Sequence, residues 1–133
     1  MEKLNNVIFI PRQPQARMPY FFAFADALLV HLKREPLFEI TIPSKTIAYL
    51  ACAKPIIGCV SGDAAEVIRS AKAGLICQPQ DPEALADTVR KLFSMPQALR
   101  REMGEAGRRE FLKEYKKSIL IKRYEEIFKE ITL

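Results

Sequence analysis

Two short segments of this sequence carry residue types that can hold an anion or a polyol. Pro43-Ser44-Lys45-Thr46 sets a proline, two hydroxyls and a lysine at the expected start of a helix. The first helical turn has backbone N–H groups without partners and the positive end of the helix dipole, and both suit phosphate. Lys45 adds a point charge. The same residues also make a plain helix cap with an exposed lysine, and composition leaves both readings open. The second segment is Ser61-Gly62-Asp63-Ala64-Ala65-Glu66. Gly62 permits close backbone approach, and Asp63 or Glu66 could accept hydrogen bonds from sugar hydroxyls. A capped helix with a first-turn acid is the competing reading. Arg12 and Arg17 flank an earlier loop and could meet a phosphate or a base, although solvated loop arginines need no such role. His31 is the sole histidine and sits in an apolar run, where an edge or core histidine is the plainer reading.

These segments need a scaffold. Val7-Ile8-Phe9-Ile10, residues 27–32, Pro55-Ile56-Ile57-Gly58-Cys59-Val60 and Leu75-Ile76-Cys77 read as short, almost wholly apolar strands. Helices are expected over residues 18–26, 43–53, 64–73, 81–94, 96–115 and 117–131, and residues 33–42 read as a loop. Tyr20, Phe21, Phe22 and Phe24 read as helix core rather than as a base-stacking platform. Asp81-Pro82-Glu83 is a strong helix start, with a cap, a first-turn proline and an acid beside the dipole. Apolar strands alternating with helices predict an α/β fold. The expectation is a three-layer Rossmann-like domain with a mostly parallel sheet of about four strands and a helical C-terminal end. In such sheets ligands bind outside the carboxyl ends of the strands, where both segments fall.

At 133 residues the chain suits one domain. A hydrophobic share of 49% against 28% charged is a globular balance. The net charge of +5 sits largely in residues 90–129, interleaved with acids at helical spacing, as on a solvated helix face. A basic nucleic-acid module would rest on net charge alone, since no such motif is present. Cys52, Cys59 and Cys77 lie in apolar runs without metal-ligand spacing, so buried reduced thiols and a cytoplasmic setting are expected, and a metal site is not. No segment has the roughly 18 apolar residues of a membrane span, and the Met1-Glu2-Lys3 start does not read as a signal peptide. There is no P-loop and no Gly-x-Gly-x-x-Gly fingerprint.

Several motifs in register resemble the C-terminal domain of the family 4 (group 1) glycosyltransferases. They are Ala51-Cys52-Ala53-Lys54-Pro55-Ile56-Ile57, Ser61-Gly62-Asp63-Ala64-Ala65-Glu66, Ala73-Gly74-Leu75-Ile76 and Asp81-Pro82-Glu83-Ala84-Leu85-Ala86. Asn6-Val7-Ile8-Phe9-Ile10-Pro11, Ala25-Asp26-Ala27-Leu28-Leu29-Val30 and Met103-Gly104-Glu105-Ala106-Gly107-Arg108 extend the match along nearly the whole chain. Pro43-Ser44-Lys45 and residues 26–32 look closer to a branch that builds bacterial surface polysaccharides.

The resemblance implies two Rossmann-like domains facing across a cleft (the GT-B fold), with the donor nucleotide sugar held by the C-terminal one. It implies sugar transfer with retention at the anomeric carbon, without a metal or other cofactor, because helix N-termini and basic side chains stabilise the leaving diphosphate. On this reading residues 1–133 form a donor-binding domain that is incomplete on its N-terminal side. Arg12, Ser44, Lys45, Thr46, Gly62, Asp63 and Glu66 are its candidate donor contacts, and no catalytic residue is assigned. The partners implied are a nucleotide sugar and an N-terminal acceptor domain or a separate chain supplying it. No nucleic acid is implied. The setting is cytoplasmic, with peripheral membrane contact open for the complete enzyme. The sequence departs from the family at Ala48, where a glutamate commonly meets the donor ribose. Ile40 stands where a second glutamate is usual, with Glu39 one place off, and Ala53 replaces the usual glycine. The family's glycine loop with its basic phosphate contacts is absent from this sequence. A non-catalytic remnant of the same fold, or an interaction partner, is the alternative.

Overall fold

The computed structural model describes residues 4–131, so the Met1-Glu2-Lys3 start lies outside it. A 3-10 turn at Gln15–Arg17 leads into α1 (Met18–Phe24), then β1 (Leu28–His31), the short α2 (Pro36–Glu39) and α3 (Ser44–Ala51). β2 (Ile56–Cys59), α4 (Gly62–Ser70), β3 (Gly74–Cys77) and α5 (Pro82–Ser94) follow. The chain ends with α6 (Gln97–Glu110), a π-helical turn at Phe111–Tyr115 and α7 (Lys117–Ile131).

The three strands form one parallel sheet in the order β1-β2-β3. Its register aligns Leu28 with Ile56 and Gly74, and His31 with Cys59 and Cys77. Because side chains alternate along a strand, each aligned row shares a face. Val30 and Ile56 belong to a buried cluster with Leu50 of α3 and Ala64, Ala65 and Ile68 of α4. α5 packs on β2 and β3 and contributes the buried Leu92. Helices therefore flank the sheet on both sides, as the α/β pattern predicts. β2 is buried along its whole length because strands and helices enclose it, whereas Leu29 on β1 is 45% exposed.

The sheet has three described strands rather than about four. Residues 7–10 form no strand, and their side chains are exposed, Phe9 to 92%. Four apolar residues become a strand only when an edge supplies backbone partners, and local composition cannot create one. The aromatic helix is also less buried than its pattern suggests. Phe22 meets Tyr49 edge-on, with ring centroids 5.1 Å apart, but Tyr20 and Phe24 remain exposed. Residues 33–42 are not a plain loop, since Pro36 starts α2 there.

One close approach orients α3. Gly104 and Gly107 of α6 are buried against its C-terminal end. A methyl group at Gly104 would collide with the carbonyl of Ala53, and one at Gly107 would stand 3.2 Å from Leu50 Cδ2. The Arg108 guanidinium donates to Ala51 O at 2.7 Å, satisfying one of the carbonyls left over at the helix end. Ala53 turns the chain out of α3 with φ of 54°, a left-handed conformation that usually falls to glycine. Gly104→Ala should therefore lower stability by about 1–3 kcal/mol, because backbone rather than a flexible side chain must yield. Gly107→Ala should cost less. Urea unfolding of the two variants checks this, and an unchanged midpoint for Gly104→Ala would remove the clamp from the account.

Candidate functional site

The loops after the three strands gather at the carboxyl end of the sheet. α3 begins there with Pro43 in an extended conformation and no side-chain cap. Ser44 and Lys45 are exposed. The Thr46 N–H donates to Pro43 O at 2.9 Å, and helix geometry leaves the amides of Ser44 and Lys45 without intrahelical acceptors. Unpaired first-turn amides beside a lysine are a donor set that can meet an anion.

Thr46 is placed differently from its neighbours. It is fully buried, and its Oγ1 has no hydrogen-bond partner. Its side chain faces the interior, so among the three expected phosphate contacts Ser44 and Lys45 are the accessible ones. A buried unpaired hydroxyl costs about 1–3 kcal/mol.

The second segment starts α4. Ser61 occupies the N-cap position, but its hydroxyl does not cap the helix and instead donates to Glu39 Oε1 at 2.6 Å. Gly62 has φ of 59°, and a side chain there would collide with the Glu39 carbonyl. Close backbone approach at Gly62 is thus real, and the approaching backbone is that of α2. Asp63 lies exposed in the first turn. Glu66 is exposed too and pairs with Arg69 at 3.0 Å. Sugar hydroxyls would compete there with a solvated ion pair, which holds Glu66 only weakly.

Arg12 lines a cavity of about 310 Å³ with Pro11, Gln13, Met18 and Phe21, and no α3 or α4 residue contributes to that cavity. His31 is exposed at the end of β1. Sequence reasoning missed the tie between the loops after β1 and β3. The Arg34 N–H donates to Gln80 Oε1 at 2.9 Å, and Arg34 lines a cavity of about 520 Å³ with Gln80, Asp81 and Glu83. It also missed the role of Glu39 as a latch. Neither contact leaves a spacing signal, since 46 and 22 residues separate the partners. Among the described residues no cluster of three or more His, Cys, Asp or Glu side chains could hold a metal. No described helix is long and apolar enough to cross a membrane.

Thr46→Val should raise stability by about 1 kcal/mol, since it removes an unpaired hydroxyl while keeping the shape. Thermal unfolding with and without a nucleoside diphosphate tests two roles at once. A stabilised variant that still responds to ligand fits a purely internal Thr46. Loss of the response would make its hydroxyl a ligand contact.

A sequence model of the family described as glycosyl transferases group 1 matches residues 1–110. The chain is 24% identical over 127 residues to N-acetyl-alpha-D-glucosaminyl L-malate synthase from Bacillus anthracis, a match covering 96% of this chain and 31% of that protein. In structure it is similar to sucrose-phosphate synthase from Thermosynechococcus elongatus, with a TM-score of 0.81, 20% identity, and coverage of 96% of this chain and 31% of that one. The chain therefore spans 31% of the length of each relative. The structural likeness supports the Rossmann-like α/β layering, and the family match extends over most of the sequence. The chain belongs to the glycosyl transferases group 1 family.

Proposed function

We propose that this chain is the donor-binding part of a retaining glycosyltransferase of the GT-B type. The complete enzyme would move a sugar from a nucleotide-diphosphate sugar to a saccharide or lipid-linked acceptor in surface polysaccharide synthesis, at the cytoplasmic face of the membrane. The observation that carries this reading is the start of α3. An uncapped helix start and the exposed Lys45 stand at the carboxyl end of a parallel sheet, in a chain whose family transfers sugars.

The leaving group in such a transfer is a nucleoside diphosphate, and its departure builds negative charge on the phosphate oxygens. Fixed N–H dipoles and an ammonium group stabilise that charge without reorganising. In this reading Ser44 and Lys45 meet the diphosphate, Gly62, Asp63 and Glu66 face the sugar, and Arg12 meets base or phosphate. The acceptor surface would come from the N-terminal domain of the complete protein or from a separate chain.

A second reading has one specific observation behind it. Ala48 is exposed on α3 where the family commonly carries the ribose-binding glutamate. A non-catalytic remnant or interaction partner of the same fold would tolerate that loss.

Calorimetry of this chain against UDP, GDP and UDP-sugars separates the two. The donor reading expects binding that weakens about tenfold or more in Lys45→Ala, as befits loss of a charge-assisted contact. Heat-silent titrations with every nucleotide would favour the remnant.

A further inference from the structure

The two thiols in the buried part of the sheet have no place in the donor site. Cys59 and Cys77 are aligned partners on the adjacent parallel strands β2 and β3, so both side chains leave the same face. Their sulfurs stand 2.9 Å apart. Adjacent strands run about 4.8 Å apart, inside the Cα separation that a disulfide accepts without moving the backbone. An S–S bond of about 2.05 Å requires the sulfurs to come closer still. Both residues are the last of their strands, next to the loops that begin with Val60 and Gln78. Cys52, the third cysteine, points elsewhere and donates to Ala48 O at 3.1 Å.

From this alignment we infer that Cys59 and Cys77 are a site of reversible oxidation, forming a cross-strand disulfide that joins the carboxyl ends of β2 and β3. The oxidant class is a peroxide. Attack of one thiol on the peroxide breaks the O–O bond, giving a sulfenic acid and water. The neighbouring thiol then displaces the hydroxyl group, forms the S–S bond and releases a second water. Two thiols are oxidised by two electrons, and one peroxide is reduced to two waters. Cys77 is 8% exposed and Cys59 1%, so Cys77 is the more accessible point of attack. Burial, then the hydrogen bond to Cys77, push the Cys59 thiol up to about 12. A neutral buried thiol reacts slowly, so the closed fold oxidises slowly and local opening sets the rate.

The test uses the chain carrying Cys52→Ser, which removes the only competing thiol. Hydrogen peroxide is added without urea and at urea concentrations below the unfolding transition. The thiols are then alkylated in denaturant, and intact mass and peptide maps are read. The expected product lacks two hydrogens, links the Cys59 and Cys77 peptides, takes up no alkylating agent, and returns to two free thiols with dithiothreitol. Its formation should speed up with urea, and the cross-linked chain should melt at a higher temperature than the reduced chain. Adding Cys77→Ser must abolish the two-hydrogen loss. The inference is overturned if both thiols remain alkylatable at every urea concentration, or if the product is a sulfinic acid or an intermolecular disulfide.

Discussion

The geometry of the candidate site depends on how closely α6 approaches the end of α3. Gly104 lets two backbones touch at the Ala53 carbonyl, and Arg108 reaches across to Ala51 O. Gly107 packs on Leu50 and Ala73, which belong to the cluster beneath the sheet. One end of α3 is thereby pinned to the C-terminal helices and its buried face to the sheet. Its other end, with Ser44 and Lys45, is aimed into solvent at the carboxyl end of the strands. A donor is useful to an anion only if it is already in place, because fixed dipoles stabilise charge without reorganising. The C-terminal helices hold in place a helix start that their own sequence never mentions.

The latch between α2 and α4 works on the same terms. Ser61 donates to Glu39 rather than capping its own helix, and the left-handed turn at Gly62 accepts the Glu39 carbonyl at close range. A hydroxyl spent on a neighbouring carboxylate leaves first-turn amides of α4 without a side-chain cap. This part of the site is organised by a contact between the end of α2 and the start of α4. A change at Glu39 would therefore be felt at Ser61 and Gly62, across the contact between α2 and α4.

The helices from residue 43 onward were legible because their start signals are local. Asp81 caps α5 through its side chain, accepting from the Ala84 N–H at 2.9 Å, and Lys117–Ile131 forms the final helix with the expected bounds. The strands Ile56–Cys59 and Gly74–Cys77 were legible because strands of a helix-covered parallel sheet are apolar throughout, although only the central Ile56–Cys59 is wholly buried. Residues 7–10 carry the same apolar signature and form no strand, since pairing depends on an edge that lies elsewhere in the chain. For the site, the helix start at Ser44 and Lys45 could be read from residue types. The inward turn of Thr46 could not, because which of three consecutive residues faces the core is set by the rotation of α3 against the sheet. Glu66 shows the converse limit. Its residue type suggested a sugar contact, and the contact it makes is with Arg69 three residues on, the local ion pair that any helix surface can form.

The central claim is that the first turn of α3 receives the diphosphate of a nucleotide sugar. Amide-resolved NMR of the labelled chain during titration with UDP and with GDP tests it directly. The account predicts saturable shifts concentrated at Ser44 and Lys45, lost in Lys45→Ala while the spectrum of the core is preserved. Saturable shifts confined to other parts of the molecule, or none at any nucleotide concentration, would contradict it.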